Sequence, residues 1–366
     1  MKAVVLVGGE GTRLRPLTKT TPKPLLPVAG VPLVERQLQW LGAHGVDEVV
    51  LAMGYLPDAF VEHFPDDRFQ SIHLLYAVES EPLGTAGAIR FAAEHAGFDD
   101  RFFVCNGDVL TTLDLSAFVD FHVAHEAAAT IHLSRVDDPS ALGAVPTYPD
   151  GEVEAFVEKP PPGTAPSNWI NAGTYLLERS VLEHVPAGRM VAIEHETFPL
   201  LLQQRGQVYA LETDDYWLDV GTPQTYLRAH ADVLEGRLGL PPAPDARESA
   251  PGVWVQGDAD LASEVEVEAP VLVGVGASVA GGSRIERSSI GAGAEIQAGA
   301  VVAGAVVHSG ARVCSGAVVR DSILGVGACV ESDATVLEQS IVGPGASVPA
   351  GSTLAGGRVP VAASSD

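Results

Sequence analysis

The chain has 366 residues, a formal net charge of −25 and 46% hydrophobic residues, enough apolar content for two domain cores. Its acidity and the lack of any basic run argue against nucleic acid as a partner, and no stretch is apolar for long enough to imply a membrane. Cys105, Cys314 and Cys329 lack metal-ligand spacing and read as reduced thiols of a cytoplasmic protein. The N-terminal apolar run is too short for a signal peptide.

Val4-Val5-Leu6-Val7 is a continuous aliphatic run, expected as a strand buried on both faces of a parallel sheet. Gly8-Gly9-Glu10-Gly11 follows at once, then Thr12-Arg13 and, further on, Pro22-Lys23-Pro24. Glycine tolerates positive φ and carries no Cβ, so backbone N–H groups there can lie against an anion. With Arg13 and Lys23 beside it, the turn reads as a phosphate cradle. Two other phosphate loops fail on spacing. The dinucleotide fingerprint needs a third glycine where Leu14 stands, and the ATPase loop needs four residues between its glycines followed by Lys-Ser/Thr. A structural glycine turn with an incidental arginine is the competing reading.

Residues 31–44 are expected as a helix, with Pro32 in its first turn and Gly45 at its end. Strands are expected at 49–52 and 74–78. Pro82-Leu83-Gly84-Thr85-Ala86-Gly87 opens a second helix, running to about His95. Gly84 and Gly87 either let it approach a base or phosphate closely or serve ordinary packing, and spacing does not decide. Phe102-Phe103-Val104-Cys105 is a strand ending in Asn106-Gly107-Asp108, at the carboxyl end where open α/β sheets bind ligands. Asp108 there can hold Mg²⁺ or simply cap the next segment. A helix at 115–126, strands at 130–136 and 153–157 and from Ile170, and a short apolar element around Gly143 follow. Glu158-Lys159 either meets a sugar phosphate or is a surface ion pair, the more economical reading. A helix is expected at 194–205 and a strand at 208–211. Thr222 and Pro223 form an N-cap and first-turn pair, with Asp219 just before them as a second metal candidate and His230 on the packed face of the helix.

Residues 238–252, rich in Pro and Ala and without period, read as a linker. Beyond it the aliphatics fall in threes, six residues apart: Val255/Leu261/Val267, Val273/Val279/Ile285, Ile290/Ile296/Val302, Val307/Val313/Val319, Leu324/Val330/Val336 and Val342/Val348/Leu354. Successive sets begin 17 or 18 residues apart. Such a repeat describes a triangular prism of stacked parallel strands with every aliphatic turned to the axis. Acyltransferase sites on such prisms need a histidine base. His308 is the only histidine of the repeat and has no evident acid or cysteine partner, which favours a structural or oligomerising domain.

These pieces together resemble the nucleoside-diphosphate-sugar pyrophosphorylases, most closely the GDP-mannose pyrophosphorylase type with a C-terminal β-helix. The likeness rests on the signature G-G-x-G-T-R-L-x-P-L-T…P-K-P from Gly8, Leu83-Gly84-Thr85-Ala86-Gly87, Asn106-Gly107-Asp108, Glu158-Lys159-Pro160, Asn171-Ala172-Gly173 and Trp217-Leu218-Asp219-Val220-Gly221-Thr222. One departure is Leu142 before Gly143, where the family often has an aromatic residue. The resemblance implies an α/β fold with a Rossmann-like mixed, mostly parallel sheet flanked by helices (GT-A-like). It implies a nucleotidyltransferase domain over 1–237, a linker over 238–252, a left-handed β-helix over 253–356 and a flexible tail over 357–366. The implied reaction joins a nucleoside triphosphate to a sugar 1-phosphate and releases pyrophosphate. GTP with mannose 1-phosphate comes first, thymidylyl or uridylyl transfer to glucose 1-phosphate or transfer to a cyclitol phosphate next. An acyltransferase or a catalytically silent regulatory subunit are the readings from other classes. By the same resemblance, Arg13 holds the leaving phosphates and Lys23 bridges the α-phosphate. Asp108 and Asp219 hold Mg²⁺. Gly8, Gly9, Gly11, Thr12, Gly84, Thr85 and Gly87 line the nucleotide, while Gly143, Glu158, Lys159, Asn171 and Gly173 face the sugar phosphate. The exposed faces of the prism suggest a homo-oligomer.

Overall fold

The computed structural model describes residues 1–140, 142–239 and 241–361. The chain divides into two compact units, Met1–Gly9 with Val34–Trp217, and Glu10–Leu33 with the chain from Leu218 onward.

In the first unit, β1 (Lys2–Leu6), α1 (Leu33–Ala43), β2 (Glu48–Met53), β3 (Ile72–Val78), α2 (Gly84–His95), β4 (Phe102–Asn106), α3 (Leu115–Ala124), β5 (Ala129–Arg135), β6 (Trp169–Leu177) and β7 (Val208–Thr213) follow one another. β1 lies centrally, parallel to β2 on one side and to β4 on the other, and β2 is parallel to β3. Beyond β4 the direction reverses: β6 is antiparallel to β4 and to β5, and β5 is parallel to β7. Ala3, Val4 and Val5 are fully buried, as an unbroken aliphatic run in a parallel strand requires. Ala86, Ile89, Ala92 and Ala93 of α2 share one core with Val4, Val50, Phe102 and Val104. Each large side chain so buried contributes ~1.5–3 kcal/mol. Asp114 caps α3, accepting from Ser116 N–H at 2.8 Å.

Three expected elements come out differently. Residues 153–157, expected as a strand, make only isolated bridges until Val157–Glu158. The helix expected over 194–205 is a wide π turn, Ile193–Thr197, followed by a single α turn, Phe198–Leu201. Pro199 has no N–H to give, so a regular i→i−4 ladder cannot run through it. Val31–Pro32 do not begin α1. They pair with Pro27–Val28 as a hairpin whose corner, Ala29-Gly30, has positive φ at both residues. That corner matches the twist of a two-residue hairpin and moves the helix start to Leu33.

In the second unit, α4 (Pro223–Leu234) starts with a reciprocal capping box between Thr222 and Thr225. The stretch expected as a linker carries a strand, Ala246–Ala250, antiparallel to Val253–Gln256. Its residues are mostly exposed and held by backbone bonds, which leave no hydrophobic period to read; Leu240 lies outside the described residues. The repeat then builds a left-handed parallel β-helix. One wall runs from Val253–Gln256 to Arg358–Val359, a second from Asp260–Leu261 to Ser347–Val348, a third from Glu266–Glu268 to Thr353–Ala355. Val255, Val273, Ile290, Val307, Leu324 and Val342 stand in one ladder, register for register. The expected inward aliphatics from Val273 to Val348 are all buried. The last coil extends to Val359, inside the expected tail, whose residues 362–366 lie outside the described residues. At one corner the coil spacing calls for glycine at Gly291: a Cβ there would stand 2.7 Å from the Ser309 nitrogen of the next coil. Among the described residues no helix is long and apolar enough to cross a membrane.

Two buried histidines make stability pH-dependent. Burial lowers the His132 and His308 imidazoles to about 4. The unfolded chain takes up these protons below about pH 6.5, the folded chain only near 4, so the unfolded state binds more protons in between. Stability therefore falls as pH drops from about 6.5 towards 4, by up to about 3 kcal/mol per histidine. Urea midpoints at pH 7.5 and pH 5 measure the slope. His132→Leu, which cannot protonate, makes it shallower, and an unchanged slope in that variant would exclude His132 as a source.

Candidate active site

In the first unit the strand order reverses direction at β1, which lies between β2 and β4. Ligands of open α/β sheets bind at the carboxyl ends of strands at such a point. Three glycines at this edge have separate reasons. A Cβ at Gly8 would press on the Gly54 nitrogen at 3.1 Å, whereas one at Gly9 would meet nothing within 4 Å. At Gly107, on the exit from β4, a Cβ would run into the Leu6 carbonyl oxygen at 2.6 Å. Gln37 Nε2 secures that exit by donating to the carbonyls of Asn106 (2.6 Å) and Val109 (2.8 Å). Asp108 follows directly and is half-buried at the strand end.

At the start of α2, Gly84 and Gly87 press on the segment 189–191: a Cβ on either would come within 2.7 Å of the Val191 oxygen or 2.9 Å of the Arg189 oxygen. Packing alone therefore accounts for both glycines. Thr85 has a further tie. Its Oγ1 accepts from Ile193 N–H (2.8 Å) and donates to Glu194 Oε2 (3.3 Å).

Glu194 closes a chain of side chains that the sequence did not reveal. Asn171 Nδ2 donates to the Tyr175 hydroxyl (2.9 Å), which donates to Glu194 Oε1 (3.1 Å), while Asn171 Oδ1 takes the Gly173 N–H (3.0 Å). Asn171 and Gly173, expected on the sugar side, are thus joined through Tyr175 and Glu194 to Thr85, expected on the nucleotide side. The register of β6 against β5 shifts between Asn171 and Tyr175, a bulge that re-aims these side chains. Burial and the Glu194 charge hold the Tyr175 hydroxyl well above its usual range, so it stays a donor. In the sequence Glu194 is only the first residue of an expected helix and Tyr175 only part of an expected strand. The one sequence signal was a carboxylate set directly after Val191-Ala192-Ile193.

Gly143 and Glu158 sit opposite each other on paired strands, Glu158 Oε2 being 3.0 Å from where a Gly143 Cβ would stand. Lys159 Nζ lies 3.5 Å from Glu158 Oε1, both side chains well exposed. An exposed pair of this kind contributes at most about 1 kcal/mol to stability.

The second unit holds the other half of the signature. Gly11, at φ 59°, opens a tight turn over Thr12–Leu14. A Cβ on Gly11 would lie 3.0 Å from Thr18 Cγ2 and 3.1 Å from Lys23 Cβ. Thr18 Oγ1 donates to the Gly11 carbonyl at 2.9 Å, closing the loop so that Gly11, Thr12 and Lys23 are neighbours. Lys23 is buried while Arg13 is exposed. Arg13 and Asp219 meet over Gly221: a Cβ there would lie 2.7 Å from both Arg13 Nη2 and Asp219 Oδ1. Gly221 thus keeps room for a cation and a carboxylate side by side.

The model of the nucleotidyl transferase family matches residues 2–236. The chain belongs to the nucleotidyl transferase family. It is 39% identical over 289 residues to the mannose-1-phosphate guanylyltransferase of Mycobacterium tuberculosis, the match covering 79% of each chain. It is 38% identical over 301 residues to mannose-1-phosphate guanylyltransferase 1 of Arabidopsis thaliana, covering 79% of this chain and 81% of that protein. The crystal structure of HddC from Yersinia pseudotuberculosis complexed with GMP-PN superposes with a TM-score of 0.55 at 30% identity, over 63% of this chain and 99% of that one. This nucleotidyl transferase is a sugar-1-phosphate nucleotidyltransferase, and nucleotidyltransferases of its family generally use a divalent metal ion.

Proposed function

We propose that the chain transfers GMP from GTP to mannose 1-phosphate, giving GDP-mannose and pyrophosphate. The observation that carries this reading is the kinship over 79% of the chain with a mannose-1-phosphate guanylyltransferase. An oxygen of the sugar phosphate attacks the α-phosphorus in line; the new P–O bond forms as the bond to pyrophosphate breaks. Two anions must meet, so the barrier is chiefly electrostatic and positional. Arg13 takes the β- and γ-phosphates as they leave, and Lys23 takes up charge at the α-phosphate. Gly8, Gly9, Gly11, Thr12, Gly84, Thr85 and Gly87 serve the nucleotide. Asn171, Gly173, Gly143, Glu158 and Lys159 serve the sugar phosphate.

Magnesium is the metal we assign. Among the described residues no three or more His, Cys, Asp or Glu side chains cluster as a metal cage. Mg²⁺ suits so sparse a donor set, because it keeps several waters and takes one or two carboxylates beside substrate phosphates. Asp108 and Asp219 are the carboxylates that would hold it, and the bound ion would offset phosphate charge. Residues 1–237 are assigned to catalysis, the β-helix runs from Val253 to Val359, and the protein works as a cytoplasmic homo-oligomer.

A grid of GTP, ATP, UTP and dTTP against mannose, glucose and cyclitol phosphates, read by pyrophosphate release, tests the substrates. GTP with mannose 1-phosphate should give the highest kcat/KM by about 10-fold or more, the scale on which a pocket built to hydrogen-bond its ligand rejects others. A maximum at dTTP or UTP with glucose 1-phosphate overturns the assignment.

A further inference from the structure

Within the second unit, the segment that follows the signature is tied to the β-helix through Tyr226 of α4 and His308. The corner that follows the ladder residues Val273, Ile290, Leu324 and Val342 is glycine each time: Gly274, Gly291, Gly325 and Gly343. After Val307 it is His308, and after Val255, on the first coil, it is Gln256. A side chain in this slot is the exception, since a Cβ at those four glycines would come within 2.7–2.8 Å of the next coil's backbone. His308 is only 4% exposed, its ring is stacked on Tyr226 of α4, and its Nε2 lies 3.2 Å from the Tyr226 hydroxyl. The same hydroxyl donates to the Pro27 carbonyl at 2.5 Å. A phenol has one proton and a carbonyl can only accept, so that proton points at Pro27 and His308 must donate its Nε2–H to Tyr226. A buried imidazole held neutral, with its proton on Nε2, meets the requirement. It is not placed as a surface base for acyl transfer.

Pro27 stands four residues after Lys23. The Leu26 N–H donates to the Lys23 carbonyl (3.0 Å), and the Leu33 N–H to the Leu26 carbonyl (3.1 Å), so backbone bonds tie the turn bearing Lys23 to the hairpin from Pro27. His230 Nδ1 takes the Ala29 N–H (3.1 Å) at the hairpin corner. Beside these bonds lies a cavity of about 90 Å³ lined by Pro27, Gly30, His230, Leu272, Gly291 and His308.

We propose that His308 is a positioning residue for nucleotidyl transfer: through Tyr226 it fixes the Pro27 carbonyl and with it the turn that carries Lys23. The β-helix is then part of the catalytic machinery's support rather than an appendage. The inference rests on the role given above to Lys23. Because Lys23 acts on charge in the transition state, loss of the relay lowers kcat more than it raises KM.

The test uses full-length protein with the best substrate pair from the grid. His308→Phe keeps a ring to stack but loses the donor; Tyr226→Phe loses the relay oxygen; His308→Gln restores an N–H donor. Misplacing a charged group by a fraction of an ångström should lower kcat about 10-fold in both phenylalanine variants, with KM for each substrate within about twofold. The double variant should fall no further than either single, since both break one relay, and His308→Gln should recover most of the loss. A folded His308→Phe or Tyr226→Phe with wild-type kcat overturns the proposal, as does a loss that His308→Gln does not restore or that tracks a fall in thermal midpoint. Lys23→Ala, run in parallel, separates the two failures. Wild-type kcat there overturns the role of Lys23, whereas an enzyme that needs Lys23 but ignores both phenylalanine variants overturns the relay alone.

Discussion

Alanine in place of Arg13 or of Lys23 lowers kcat by about 10²-fold or more, the usual loss when a preorganised donor to developing charge is removed. The two differ in surroundings, and so in how the loss divides. Lys23 is buried, and charge acts more strongly where water is excluded. Its loss should fall on kcat, with the triphosphate still bound by other groups. Arg13 is exposed and shares the space over Gly221 with Asp219, so its loss should raise the KM for the triphosphate as well as lower kcat. Pyrophosphate release under saturating substrates separates these patterns. Thermal midpoints close to that of the unaltered protein show that the loop has not unfolded, which matters because Lys23 Cβ packs where Gly11 turns. Near wild-type turnover in both variants removes them from the chemistry.

What the sequence disclosed was whatever leaves a periodic or local trace. The β-helix was readable because each coil must place an aliphatic at the axis every sixth residue, and Val273, Ile290, Val307 and Leu324 do so in register. β1 was readable because both its faces are buried. What stayed hidden depends on partners far apart in the chain. Glu194 meets Thr85 across 109 residues, and Tyr226 meets Pro27 across 199. Neither leaves a spacing that one segment could show. The hairpin at Pro27–Val28 and Val31–Pro32 was hidden by Pro32, which suits a helix start as well as a strand end. The grouping of Glu10–Leu33 with the chain from Leu218 was invisible for another reason. A boundary drawn on composition is contiguous, whereas this unit is assembled from two separated segments. The glycines divide along the same line. Gly107 and Gly291 are explained by backbone a Cβ would strike, while Gly9 faces open space and is left to the ligand reading.

Asp108→Asn combined with Asp219→Asn should abolish Mg²⁺-dependent turnover while the β-helix unfolds as before. The amide keeps the size and planarity of the carboxylate but drops its charge, and a hard divalent ion binds neutral amide oxygens far less well than anionic ones. Neither residue belongs to the hydrophobic core of the prism, which runs from Val271 to Val348, so its stability has no reason to change. Asp108 follows Gly107 just past the end of β4, and Asp219 Oδ1 lies 2.7 Å from where a Gly221 Cβ would stand, so that glycine leaves the Asp219 carboxylate room. The single variants carry the sharper information. If each carboxylate holds the ion, each single variant needs a higher Mg²⁺ concentration for half-maximal rate, and added metal restores part of the loss. If instead the carboxylates only orient the chain, the loss is independent of metal concentration. A folded double variant that still turns over in Mg²⁺ contradicts the assignment of both residues.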